Sequence, residues 1–401
     1  MPIDDTVGRR ITDARTARHL TLQGLADAAK LSRSYVQKIE SGDRPPSHQA
    51  LVALARALRV DVTRLTGQPY DEDTRPEDRA IHAVIPDIRR VMLCYRTPES
   101  LLLPPRPFEE LHSHVQLVNR HRRAADYATT AAALPALLTE LTTYALSAPS
   151  GSAAARAGYS LLAQVYRAAN SLAHKLGYYD LSASALERVA WAAGLSGDPI
   201  MVATSRYLLA GAMTREGAYT AARQVLREIE NDLRDCDAPG ADGMLGAALL
   251  KRSIAAAGAV KRSEMNECLD EAAEIGARIG HEGIYQETSF GPVQVEIYRA
   301  SAAIMVDDFD VAVRDGGALV MPEDMPAERS SHHYIDYAHA LVVTGDRPGA
   351  WAALRRAREL APLHTRKHPR VRDSVATLLR LERADDQTRL GFGRWVGVTP
   401  P

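Results

Sequence analysis

At 401 residues the chain is too long for one compact helical domain, and about 330 residues remain beyond a first domain of ordinary size. Hydrophobic residues make up 46% and aromatic ones only 5%, with alanine supplying much of the apolar content, which favours helix and an all-α chain of net charge −1. Cys94, Cys236 and Cys268 are widely spaced and include no C-x-x-C pair, which excludes a disulfide framework or zinc knuckle and fits a reducing compartment. No leader-like series opens the sequence and no apolar run approaches about 18 residues, so a cytoplasmic protein without a membrane span is expected.

In chain order, helical spacing of Val7, Ile11, Ala14 and Arg18 predicts a first helix over Val7–His19. Thr21 can cap a second short helix carrying Leu22, Leu25, Ala26 and Ala29. Lys30 and Leu31 leave room only for a tight turn. Ser32 then caps a third helix that Gly42 can end. Its Leu31, Val36 and Ile39 face inward, while Arg33, Ser34, Gln37 and Lys38 fall on the outer side. A fourth helix is predicted over Ser47–Arg59, with Leu51, Leu54, Ala55 and Leu58 inward, and a short fifth over Asp61–Leu65. Two short helices joined by a few residues form a helix-turn-helix, whose second helix lies in the major groove of DNA. Through Tyr70 there are eleven basic residues against seven acidic ones, a net +4 in a nearly neutral chain. Positive charge concentrated on one domain is the footprint of a nucleic-acid binder.

The run L-T-x-x-x-L-A-x-x-A-x-L-S-x-S-Y-V-x-K-I-E-S-G followed by Arg44-Pro45-Pro46-Ser47 resembles the Xre family of lambda-repressor-like domains, normally five helices. The resemblance implies double-stranded operator DNA as partner. It places Arg33, Ser34 and Lys38 at base edges with Gln37 beside them, and Arg44 at a phosphate. The chemistry agrees, since arginine offers a forked donor suited to guanine O6 and N7. Two positions depart from the family: Leu22 stands where many relatives have a phosphate-gripping glutamine, with Gln23 next door, and Asp43 puts negative charge near the backbone. One such helix covers only a half-site, so a homodimer is expected.

Composition changes at Gly67-Gln68-Pro69, and prolines and acids mark an exposed linker over 68–79. The expected division is therefore 1–67 for DNA binding, 68–79 as linker and 80–401 as a helical domain for effector binding and dimerisation. Ile81–Tyr95 reads as a helix interrupted near Pro86, and Pro104–Pro107 is a second break before helices resume near Phe108. From Leu111 the pattern is nearly all helix. A turn phrase recurs at Gly177–Ser182, Gly217–Ala222, Gly258–Ser263, Asp307–Ala312 and Gly345–Ala350. The last copy, with Ala350, Leu354, Ala357 and Pro362, resembles the second half of a tetratricopeptide repeat; Ala210, Ala300 and Ala338 occupy the small-residue position of the preceding helices. Residues from about 110 to 385 thus resemble a tetratricopeptide-like α-solenoid, the alternative being an irregular alanine-rich bundle. Arg394–Val398 is too short for an element, Trp395 is a candidate anchor, and Thr399–Pro401 is expected to fray.

Histidines cluster as His112, His114 and His121, and as His332, His333 and His339. None has the accompanying ligands of a metal site, so no metal or cofactor is expected. His332 and His339, seven apart, fall on one helix face. The sequence carries no G-x-S-x-G, phosphate loop or dinucleotide motif, and an enzyme is not expected. The tetratricopeptide resemblance projects Gln164, Arg167, His174, Thr204, Tyr207, Arg252, Gln294, His332 and His339 into a concave groove. There they could clamp a peptide or small-molecule effector, with Arg167 or Arg252 taking a carboxylate. The joined architecture resembles the RRNPP group of bacterial peptide-sensing regulators. A competing reading is a helical adaptor with a vestigial DNA-binding domain.

Overall fold

Side-chain caps set the boundaries of the first five helices. Thr6, Thr21, Ser32, Ser47 and Asp61 each accept a backbone N–H from the first turn. They start α1 (Val7–Ala17), α2 (Leu22–Ala29), α3 (Arg33–Glu40), α4 (His48–Leu58) and α5 (Val62–Thr66). The structure, a computed structural model, describes residues 6–70, 75–97, 103–382 and 386–398. Ile11, Leu25, Val36, Ile39, Leu54, Leu58 and Leu65 close one core at the centre of the five helices. α1 approaches the end of α3 so closely that only Gly8 fits, and a forked ion pair from Arg15 to Glu40, at 2.7 and 2.9 Å, fixes the same contact.

The segment after α5 is shorter than the linker expected over 68–79. Pro76 starts α6 (Pro76–Leu93) at a position where a missing N–H costs nothing. Gln68 is buried and accepts a hydrogen bond from the Tyr179 hydroxyl at 3.0 Å. Asp78 is buried against Arg366 (2.6 Å) and Lys367 (3.3 Å). Pro86 does not interrupt α6. An internal proline costs about 3 kcal/mol. The buried stripe Ile81, Ile85, Ile88 and Met92 contributes about 1.5–3 kcal/mol per side chain and outweighs it.

Beyond Pro104–Pro107 the chain forms six antiparallel helix pairs. They are α7 (Phe108–Arg123) with α8 (Tyr127–Ser147), α9 (Ala153–Leu176) with α10 (Tyr179–Ser196), and α11 (Pro199–Arg215) with α12 (Tyr219–Arg234). α13 (Ala241–Gly258) pairs with α14 (Arg262–Ile279), α15 (Pro292–Met305) with α16 (Phe309–Ala318), and α17 (Ala327–Thr344) with α18 (Arg347–Leu360). Each pair turns through one left-handed residue: Ala125, Gly177, Gly217, Val260, Asp307 and Gly345. The second helix begins two residues later, and its fourth residue (Thr130, Ser182, Ala222, Met265, Ala312 and Ala350) is buried against the first. In the pair at Gly258 the expected register is two residues early: Val260 is the turn residue, and Gly258 instead makes room for the Tyr219 ring. The pairs bury successive clusters along the array, as a stack of two-helix units must. Among the described residues the fold is all-α apart from one hairpin.

That hairpin was not anticipated. β1 (Gly283–Tyr285) and β2 (Thr288–Phe290) pair antiparallel through Gln286 and Glu287, both left-handed, as a two-residue turn requires. α19 (Pro362–Lys367), α20 (Pro369–Glu382) and α21 (Gln387–Val396) end the described chain. The tail is therefore a full helix rather than a loose strand, started by the Asp386 cap and anchored by Phe392 and Val396 in the core with Trp395 packed beside them. The fraying expected at 399–401 lies outside the described residues.

Candidate functional site

On α3 the hydroxyl of Ser32 accepts the Tyr35 N–H at 3.2 Å, and the Tyr35 hydroxyl in turn accepts the Ser47 N–H at 3.1 Å, tying the helix to the start of α4. Val36 and Ile39 are buried beneath it. Arg33, Ser34, Gln37 and Lys38 are all exposed on the opposite face. None makes a side-chain hydrogen bond or ion pair among the described residues, so nothing must be broken before they meet a groove. The array leaves this face open. Gln23 is exposed with its amide donating to Asp27 at 2.7 Å. Arg44 is half-buried, its guanidinium between the Tyr35 and Phe309 rings at 4.9 and 5.5 Å from their centroids. Asp43 is neutralised by Arg380 from α20.

The five-helix unit docks on the array through α4. His48 Nε2 lies 2.9 Å from the Arg215 carbonyl, and Arg56 donates to the Glu216 carbonyl at 2.9 Å. This is the turn between α11 and α12, where Gly217 accommodates Val52 and Arg56.

Of the nine residues projected into a groove, Arg167, His174, Tyr207 and His332 line one recess, and the other five lie apart from it. Gln164 accepts from Asn119, Thr204 packs on the Met244 sulfur, and Arg252 pairs with Glu230 at 3.0 Å. Gln294 is fully buried in the core of its pair. Arg167 holds the hairpin tip, donating to the carbonyls of Gln286 (2.6 Å) and Glu287 (2.8 Å) and to the Thr288 hydroxyl (2.9 Å), while Arg122 and Arg123 hold the Glu287 carboxylate. The hairpin tip is thus held against α7 and α9. His339 is buried against Phe309 on the same face of α17 as His332, and both lie close to Asp336 and Arg370.

His174 and His332 do come together, in a recessed cavity of about 410 Å³ that continues into a smaller lobe past Arg167 and Tyr207. Its walls include residues that sequence spacing does not single out: Arg215, Lys251, Arg329, His364, His368 and Arg370. Desolvation lowers Lys251 to about 8 and His332 to about 4, so the imidazoles lining the cavity are neutral. Burial alone would raise Glu328, yet Lys175, paired at 2.9 Å, and Arg122 hold it at about 2. His332, His364 and His368 bring one nitrogen each within 4.8 Å of one another. The only sequence signal for this assembly is the abundance of basic residues around the α19 prolines.

Residues 11–65 match a family model described as helix-turn-helix. The immunity repressor protein of Bacillus phage phi105 is 44% identical over 63 residues, which is 16% of this chain and 44% of the repressor, so the chain spans under half the length of that relative. Among solved structures, BtubC of P. vanneervenii aligns over 57% of this chain and 91% of its own at 16% identity and a TM-score of 0.39. Bacillus thuringiensis PlcR, solved in complex with the peptide PapR7 and DNA, aligns over 87% and 99% at 15% identity and a TM-score of 0.34. Scores at that level do not establish a shared fold. The motif, the packed five-helix core and the family match fall on the same residues, so residues 11–65 form a helix-turn-helix domain.

Proposed function

We propose that the protein is a sequence-specific DNA-binding transcriptional regulator that acts as a homodimer, with the helical array carrying a ligand that sets the arrangement of the two DNA-binding heads. The observation that carries this reading is the open face of α3, where Arg33, Ser34, Gln37 and Lys38 are exposed on a helix fixed from both ends. A recognition helix presents its N-terminal residues to base edges in this way. Gln23 reaches phosphate only by leaving Asp27, and Arg44 only by leaving its two rings. The proposed reader is therefore the α3 face alone, with the other two residues as adjustable backbone contacts.

Mobility shift against a pool of random duplexes at two salt concentrations tests it. A regulator loses affinity steeply as salt rises and keeps a sequence preference. Arg33→Ala is expected to relax the preference at one base position by about 1–3 kcal/mol. An unchanged preference, or no binding in dilute buffer, would remove the regulator reading and leave a protein-binding adaptor.

A further inference from the structure

The cavity lined by α9, α11, α13, α15, α17, α19 and α20 holds more positive charge than its own carboxylates answer. Five full cations line it, Lys175, Arg215, Lys251, Arg329 and Arg370, against the single carboxylate of Asp336. Two of the five are accounted for: Lys175 pairs with Glu328, and Arg370 with Asp336. Among the described residues no carboxylate lies within ion-pair distance of Arg215, Lys251 or Arg329. Lys251 has only the face of the Tyr207 ring, 4.0 Å from its ammonium to the centroid. Burying an ion without a counter-charge is costly, and proteins ordinarily pair such groups or neutralise them. Arg329 has the Tyr298 ring and Glu328 nearby, but none of the three has a carboxylate at ion-pair distance, and three such cations lining one cavity are an arrangement that an anion would complete.

The histidines point the same way. His364 is 2% exposed; its Nδ1 is held by the Tyr127 hydroxyl at 2.8 Å, and its Nε2 is buried with no partner. Nδ1 of His174, of His332 and of His368 is likewise buried and unpartnered. A cation is a poor occupant. Lys175, Arg329 and Arg370 crowd the trio of His332, His364 and His368, and the one nearby carboxylate is already taken by Arg370.

We propose that this cavity is the binding site for a compact oxyanion carrying two or more negative charges, of the class of phosphorylated metabolites, held by Arg215, Lys251 and Arg329. Size supports a small molecule over an extended peptide. About 410 Å³ falls in the range of small-ligand pockets, and Arg167, projected as a peptide clamp, is instead taken up by the hairpin carbonyls. The proposal names the ligand class left open in the regulator reading, but anion binding does not depend on DNA binding and is measured without it.

The test is calorimetric titration of the full chain with sodium pyrophosphate and, separately, with citrate, chloride holding the ionic strength constant. One saturable site for either probe supports the proposal, and the tighter of the two tells phosphate from carboxylate recognition. Lys251→Met and Arg329→Gln should each weaken that site by about tenfold or more. Lys251→Met also separates a binding role from a structural one. It removes a half-buried charge that lacks a carboxylate partner, so the thermal midpoint of the unliganded protein should hold or rise while the shift produced by pyrophosphate disappears. A fall in the unliganded midpoint with the pyrophosphate shift retained would overturn the assignment. So would the absence of saturable heat with both probes, or stoichiometric zinc uptake lost in His364→Ala with no anion binding. DNA binding retained in such a case would leave the regulator reading standing.

Discussion

Replacing Gly8 with alanine tests how the recognition helix is held. A Cβ at this position runs into the Ile39 carbonyl oxygen and comes 2.9 Å from that of Glu40. Both obstacles are main chain, so no side chain can swing aside and α1 must retreat from α3. On an open helix face alanine would gain about 1 kcal/mol over glycine, whereas overpacking costs about 1–3 kcal/mol. The retreat also stretches the Arg15–Glu40 pair, now at 2.7 Å and largely shielded from solvent. The expected net loss is about 1–2 kcal/mol, a drop of about 5–30-fold in the folded to unfolded ratio of this unit. Hydrogen exchange of the full chain reads it out as lost protection confined to α1 and α3. Gly391→Ala is the control: a Cβ there meets nothing within 4 Å, so it should be neutral or stabilising. Gly8→Ala with wild-type protection in both helices would refute the close approach.

Arg167→Leu should free the hairpin, because the Gln286 and Glu287 carbonyls lose charged donors worth about 1.5–3 kcal/mol each. Amides 283–290 should then exchange before any helix, and unchanged protection there would argue against the staple. Burial holds His332 and His48 near about 4 and lowers His174, His364 and His368. Since the unfolded chain titrates near about 6.5, it takes up protons first as pH falls. Stability should be complete above about pH 6.5 and decline towards about pH 4. A thermal midpoint flat across that window would count against buried neutral imidazoles, and His332→Gln should lessen the slope.

Caps and turns were legible because they are local. Thr21 and Ser32 cap the helices expected of them, Ser47 and Asp61 mark the starts of the next two, and four of the five recurring turn phrases fall on the observed turns. The fifth misled because a glycine can serve packing as well as conformation: Gly258 yields space to Tyr219 while Val260 takes the left-handed turn. The first turn, at Ala125, was missed: alanine there is neither the glycine nor the acidic residue that opens the other phrases. Glycines flank the hairpin, and Tyr285 and Phe290 fill the space left by Gly243 and Gly246 on α13, a long-range fit that no window of sequence contains. Long-range pairing also hid the cavity. His364 and His368 lie more than thirty residues from His332, and helical spacing joined His332 to His339 instead.

An open superhelix of stacked helix pairs deforms like a coil spring, each pair tilting a little against the next. Here the coil is closed on itself: the hairpin between α14 and α15 grips α7 and α9, Lys175 of α9 holds Glu328 of α17, and His364 of α19 meets Tyr127 of α8. These cross-braces join pairs far apart along the stack. Bending therefore cannot be shared out smoothly among the pairs; the ring either keeps its shape or gives way at a brace, which makes its mechanics abrupt rather than elastic.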